Sequence, residues 1–392
     1  MTEPALLDPA LVRRARNAVL LVFSMSGLTF SAWASRMPDI KRTLDLTPGQ
    51  LGLVLLAIAF GSVIGLPLAG RFIQAVGAAR TVLVAALLSV VASAVGAVGV
   101  DLFHSVPVVW ISLFVMGLGI GTWDVAMNHE GTVVERGLGK AIMPWFHAAF
   151  SGATVVSALI GSAMSAFGVP VWLHLIAVLL LVAVLNSVGV SRFLPVEPDD
   201  GEGQAVSAGR AWLEPRTLLV GLVVMAAAFT EGTANDWVAV ALTEGYRLPA
   251  WLGVLGFATF LGFMTIGRIA GTWFLDTYGR LPVLRILFVT AIVGSLLVVF
   301  GGPVLAFAGA ALWGLGASLG FPVGMSAAAD DPAHAAPRLS VVSTIGYLAF
   351  LGGPPLLGFL GDHVGVLLAL LAVSAFLVPA LLAVPAVKEP AR

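Results

Sequence analysis

The sequence has no cysteine anywhere in its 392 residues. A disulfide, a thiolate nucleophile and a cysteine-based metal site are all excluded. Charge is nearly as scarce. Asp, Glu, Lys and Arg make up 10% of residues, where soluble domains carry about 25%. So few charges do not cover the surface of a water-soluble globule. The formal net charge is −1, with no basic stripe to serve as a footprint for nucleic acid. No Walker-type loop is present, so ATP is not the expected energy source. His129-Glu130 matches the start of an H-E-x-x-H zinc motif, but Val133 stands where the second histidine is needed. A cleavable signal peptide is not expected, because the first apolar run is long enough to remain in a membrane.

What the chain has instead is grease in long runs. It is 59% hydrophobic, with a mean hydropathy of +1.02. About 20 consecutive apolar residues cross the hydrocarbon core as a helix. The 45 glycines suit helices that pack closely in lipid. Twelve spans are expected near 17–37, 51–73, 80–100, 107–130, 144–167, 170–190, 217–240, 250–274, 281–300, 303–327, 338–360 and 364–386. Asp8-Pro9 reads as a helix start, a cap followed by proline at the first helical position. Pro38 with Asp39, Lys41 and Arg42 is expected to end the first span, and Asp330, Asp331 and Pro332 the tenth. The one long polar segment, 191–216, reads as a flexible loop between an N-terminal six-helix bundle (1–190) and a C-terminal one (217–392). With the N-terminus inside, fifteen Lys and Arg fall on the cytoplasmic side and four outside (Arg36, Lys41, Arg42 and Arg247), with Arg268 inside a span. That bias places both termini in the cytoplasm.

The halves echo each other at a shift of about 200 residues. Gly70-Arg71-Phe72-Ile73-Gln74-Ala75-Val76-Gly77 follows the second span, and Asp276-Thr277-Tyr278-Gly279-Arg280 follows the eighth. Met116-Gly117-Leu118-Gly119 answers Trp313-Gly314-Leu315-Gly316, and Phe150-Ser151-Gly152 answers Leu351-Gly352-Gly353. Two repeated six-helix halves joined by a central loop resemble the major facilitator superfamily, over nearly the whole chain. That family's signature is G-x-x-x-D-R-x-G-R-R. The second copy here keeps Asp276, Gly279 and Arg280; the first keeps Gly70 and Gly77 but has Gln74 where Asp is usual. The resemblance implies an all-α membrane protein of two pseudo-symmetric bundles that works by alternating access around a midplane site.

Ionisable residues inside spans are costly, about 2.5–3.5 kcal/mol each on the insertion scale, and so point to function. Gly117, Gly121, Asp124 and Asn128 recur at three to four residues and share one helical face. The small residues let another helix or a ligand approach, and Asp124 beside Asn128 offers a carboxylate able to carry a proton between the two sides. The alternative is a local cap or a pair with Arg136 or Lys140. Glu231 and Asn235 share a face of the seventh span, as substrate ligands, proton relay or structural pair. Asp236 and Arg36 lie at similar depth in spans seven and one, as an outer gate or as two solvated interfacial charges. Arg268 pairs with Asp276 or Asp124, or snorkels to the interface. His147, after Pro144, is a proton shuttle or a packing residue. Trp33, Trp123 and Tyr347 are candidates to line a cavity.

The acidic residue followed by Ala126 and Asn128 on a glycine-rich fourth span, with His147-Ala148-Ala149-Phe150-Ser151-Gly152 in the fifth, resembles the fucose permease branch of the superfamily. That resemblance implies proton-coupled symport of a sugar-like solute, with the proton on Asp124. The branch's symporters also use a first-span carboxylate, and residues 17–35 hold none. The functional expectation is a monomeric bacterial inner-membrane transporter for a small polar solute, without cofactor or metal. The rivals are a drug exporter and a non-transporting sensor; no nucleophile–base pair suggests an enzyme.

Overall fold

The computed structural model describes residues 9–139, 142–194, 208–331 and 334–389. Among these, twelve helical segments are long and apolar enough to cross a membrane. Numbered in chain order, spans 1 to 6 are Pro9–Thr43, Pro48–Val76, Ala78–Asp101, Val106–Leu138, Met143–Ala166 and Val171–Val190. Spans 7 to 12 are Pro215–Gly245, Ala250–Tyr278, Arg280–Phe300, Gly302–Ala328, Pro337–Val364 and Val366–Val387. All twelve expected spans are present. Span 1 departs most, beginning eight residues before and ending six after its expected bounds, and span 4 runs a further two turns past its expected end. Of the expected linker, 195–207 lie outside the described residues, as do Asp8, Lys140 and Pro332.

Proline breaks two spans rather than ending them. Span 1 is helical over Pro9–Ala34 and again over Met37–Thr43. Pro38 has no N–H to give the carbonyl four residues back, and its ring crowds that carbonyl, so the first helix stops at Ala34. Span 10 is likewise split into Gly302–Ala317 and Gly320–Ala328. There Pro322 cannot bond back to Ser318, and the Ser318 carbonyl is left available to a side chain.

The duplication is physical as well as textual. Gly77 and Gly279 have φ of 82° and 77°. Each is the single residue between two long helices, in a backbone region that only glycine enters freely. The two copies of the fourth-helix glycine pair also do matching work. A methyl at Gly117 would lie 2.9 Å from the Ile58 carbonyl carbon of span 2, and one at Gly119 2.7 Å from the Ala85 oxygen of span 3. In the second copy, a methyl at Gly314 would lie 3.0 Å from the Met264 nitrogen of span 8, and one at Gly316 2.6 Å from the Ala291 Cα of span 9. In lipid no hydrophobic drive separates helix from tail, so close backbone approach of this kind supplies much of the packing.

The chain divides into two compact units. One comprises Met1–Trp33 with Ala57–Gly201, the other Ala34–Leu56 with Glu202–Arg392. Within the first unit, Ser31 donates to the Thr154 carbonyl at 2.8 Å and Ser157 to the Leu28 carbonyl at 2.9 Å, stitching span 1 to span 5. Within the second, the segment 34–56 is tied to spans 7 and 11. Lys41 forms an ion pair with Glu244, and Asp362 accepts from the Gly49 amide at 3.0 Å, capping span 2.

Candidate functional site

In the first unit the glycine face of span 4 is occupied by a neighbouring helix. Besides the contacts of Gly117, Ser62 of span 2 donates to the Gly117 carbonyl at 3.1 Å. Thr122 donates to the Gly65 carbonyl at 3.2 Å. Of the two possibilities for that face, helix or ligand, the structure has the helix. Asp124 lies beyond this seam, half-buried. The Asn128 side-chain amide donates to the Asp124 backbone carbonyl at 2.8 Å and to its carboxylate at 3.3 Å. No cation pairs with Asp124 among the described residues. Arg136 is therefore not its partner. Trp123, expected at a cavity wall, is instead fully buried with its indole N–H unmatched. His147 is exposed and meets the Phe23 ring edge-on at 5.4 Å.

Sequence reasoning passed over Glu130. It is 0% exposed, one carboxylate oxygen accepting from the Leu194 amide at 2.8 Å and the other buried without a partner. It lies two residues beyond Asn128, off the face traced by the glycines, and was weighed only as part of the zinc motif that Val133 breaks. Glu135 was also unremarked; its carboxylate accepts from the Ile142 and Met143 amides at 2.6 and 2.7 Å, capping span 5.

In the second unit the main polar centre joins three spans. One guanidinium nitrogen of Arg268, on span 8, donates to both carboxylate oxygens of Glu231, on span 7, at 2.9 Å each. The Arg268 Nε reaches the Ser318 carbonyl of span 10 at 3.4 Å. That is the carbonyl Pro322 leaves without its helical donor. Arg268 thus pairs with neither Asp276 nor Asp124. Span 8 continues to Tyr278, four residues past its expected end, which sets Arg268 deeper in the helix than anticipated. Asp276 is exposed, without an ion pair among the described residues.

The expected Arg36–Asp236 bridge is not formed. Arg36 is 3% exposed and pairs with Asp39 at 3.0 Å, one turn along its own short helix. Asp236 makes no hydrogen bond or ion pair among the described residues. It lines a narrow cleft with Gly232, Thr233, Trp237, Phe350 and Pro354, between spans 7 and 11. Asn235 is half-buried with its side-chain oxygen unmatched. Tyr347 is half-buried one turn before Phe350, ring centroids 6.3 Å apart.

A family model described as Major Facilitator Superfamily matches residues 19–336. The chain belongs to that superfamily. This superfamily member is 29% identical over 369 residues to an uncharacterized transporter, y4wD, of Sinorhizobium fredii, covering 94% of this chain and 96% of that one. It is 30% identical over 369 residues to the membrane protein MosC of Rhizobium meliloti, covering 92% and 86%. Among solved structures it resembles the nucleoside transporter NupG, with a TM-score of 0.76 at 14% identity over 96% of this chain and 98% of that one. It also resembles the superfamily transporter FucP, with a TM-score of 0.64 at 15% identity, covering 96% and 99%. At such identities the likeness is one of fold. The protein is a multi-pass bacterial membrane transporter, as its relatives are, and not an enzyme.

In this superfamily member the second copy of the loop signature is held by charge. Arg280 meets Asp330 at 2.7 Å and Ser326 at 2.9 Å, and Arg216 meets the same Asp330 at 2.7 Å. Arg338 meets Glu214 at 2.6 Å. The Arg338 hydrogen bond, and then that of Thr217, hold the Glu214 carboxyl below the usual glutamate range.

Proposed function

We propose that this protein is a proton-coupled secondary transporter of a small polar organic solute, working by alternating access. The observation that carries the proposal is Asp124. It sits well inside span 4 with an amide beside it and no cation paired with it among the described residues. A charge at membrane depth costs about 2.5–3.5 kcal/mol, and taking up a proton removes that cost. Such a group gains a proton when exposed to the more acidic side and releases it to the other. Glu231 has the opposite surroundings, since Arg268 neutralises it. It serves as a fixed polar contact for the solute, together with Asn235 and Tyr347 of the same unit. A polar cargo accords with the nucleoside named for NupG and with the resemblance to the fucose permease branch.

The N-terminus is taken as cytoplasmic, following the distribution of Lys and Arg. The ion pair of Lys41 with Glu244 then lies on the outer side and is the gate contact. It takes the part first given to Arg36 with Asp236.

The test uses purified protein in liposomes loaded with a pH-sensitive dye, challenged with sugars, polyols, nucleosides and small amines. A transported solute carries protons inward and acidifies the lumen. Asp124→Asn is expected to abolish pH-driven accumulation while solute exchange persists. Accumulation by Asp124→Asn at the wild-type level removes Asp124 from coupling and with it the core of the proposal.

A further inference from the structure

Asp236 is the one acidic group in span 7 that the proposed function leaves idle, and its surroundings are unusual. Glu231, little more than a turn away, is neutralised by Arg268. Asp236 has no hydrogen bond and no ion pair among the described residues. Its cleft also holds Thr233, 4% exposed, whose hydroxyl has no partner among the described residues. A carboxylate and a buried hydroxyl left unmatched on residues lining one cleft call for a ligand that donates hydrogen bonds to them.

The shape and walls of the cleft narrow the choice. There is room for about one water-sized group. Gly232 lies one turn before Asp236 on the same helix face. A methyl there would come within 3.3 Å of the Phe350 ring, so the glycine lets that ring lie close against span 7. The cleft is thus lined by Phe350, by Asp236 and Thr233, and by Ala349, Gly353 and Pro354. A hard metal cation seeks about six oxygen ligands, and only two side chains here bear oxygen. A primary ammonium group fits better. It is water-sized, donates three hydrogen bonds, and is attracted both to a carboxylate and to the face of an aromatic ring.

We propose that the cleft between spans 7 and 11 binds the primary ammonium group of the transported solute, with Asp236 as counter-charge, Thr233 as second acceptor and Phe350 as the covering ring. This inference rests on the transport reading and specifies its cargo as a primary amine. A quaternary ammonium is excluded by size, because its methyl groups exceed the space beside Asp236.

The experiment measures binding and flux separately, on the full chain. Ethylammonium, tetramethylammonium and sodium, each as chloride, are titrated against the protein in nanodiscs, and thermal stability is recorded. Ethylammonium alone is expected to raise the unfolding temperature in a saturable way. Asp236→Asn is expected to weaken that binding by roughly tenfold or more, as befits loss of a charge-assisted hydrogen bond, and Thr233→Val by a smaller factor. Thr233→Val keeps the test decisive if Asp236→Asn fails to fold, since it is nearly isosteric. Stabilisation by sodium that depends on Asp236 overturns the proposal in favour of a metal-ion site. Ethylammonium binding that Thr233→Val and Asp236→Asn leave intact, or no binding by the wild type, also overturns it. Solute-driven proton entry without ammonium binding refutes this inference and leaves the transport reading standing. Ammonium binding without solute-driven flux supports the inference and removes the transport reading.

Discussion

Replacing Arg268 with Met takes away the cation that pairs with Glu231 and leaves the carboxylate among three helices. At the membrane centre an unpaired charge costs about 2.5–3.5 kcal/mol, and breaking a fully buried ion pair from one side costs about 3–5 kcal/mol. This pair is not fully dry: the Glu231 side chain is 19% exposed and that of Arg268 30%. Partial hydration brings the expected loss to about 2 kcal/mol. Glu231→Gln is milder, about 1 kcal/mol, because the amide oxygen still accepts from the guanidinium. Arg268 also keeps the Ser318 carbonyl that Pro322 left available. The double variant Glu231→Gln with Arg268→Met carries no stranded charge. Its loss should fall short of the sum of the single losses by at least about 1 kcal/mol, the signature of direct coupling. Denaturant titration in mixed micelles, followed by tryptophan fluorescence, reads all four corners of this cycle. Additivity within about 0.5 kcal/mol would refute the reasoning, since it would mean the two side chains act independently.

The matching glycines give a paired expectation. Gly117→Val and Gly314→Val should each destabilise by about 1–3 kcal/mol, because each pushes a side chain into the backbone of a neighbouring helix. A neutral result at either site in the same titration would contradict the close approach seen there. The Glu214–Arg338 pair predicts an acid dependence. The folded carboxyl titrates below its ordinary value, so its stabilisation is complete above the unfolded glutamate range and is lost as pH falls through the lowered folded value. Glu214→Gln should flatten that part of the stability–pH profile; an unchanged slope counts against it.

How much of the site was legible from sequence varies residue by residue, and for physical reasons. Asp124 with Asn128 was readable because a spacing of four residues on one helix fixes their adjacency without tertiary information. Glu130 was missed because its partner, the Leu194 amide, lies 64 residues away and leaves no periodic trace. Arg268 was given the wrong partner because depth was inferred from an expected helix end, and span 8 runs on to Tyr278. Arg36 was paired across spans although an acceptor lay three residues ahead in Asp39, on a helix that exists only because Pro38 restarts it.

The amino-acid order by itself determined the class of molecule: twelve apolar runs, too little charge for water, and two copies of the same glycine spacing. Backbone polar groups in lipid must be satisfied within the protein, and an apolar run of about twenty residues does so as a helix, although its ends are not fixed by apolar length. Tertiary structure decided which charges are neutralised and which stand bare. Glu231 found a cation on span 8, while Asp236, five residues on, found none among the described residues. That difference depends on rotation and depth between neighbouring helices, set by glycine contacts and proline breaks summed over whole spans, and no local pattern in the chain records it.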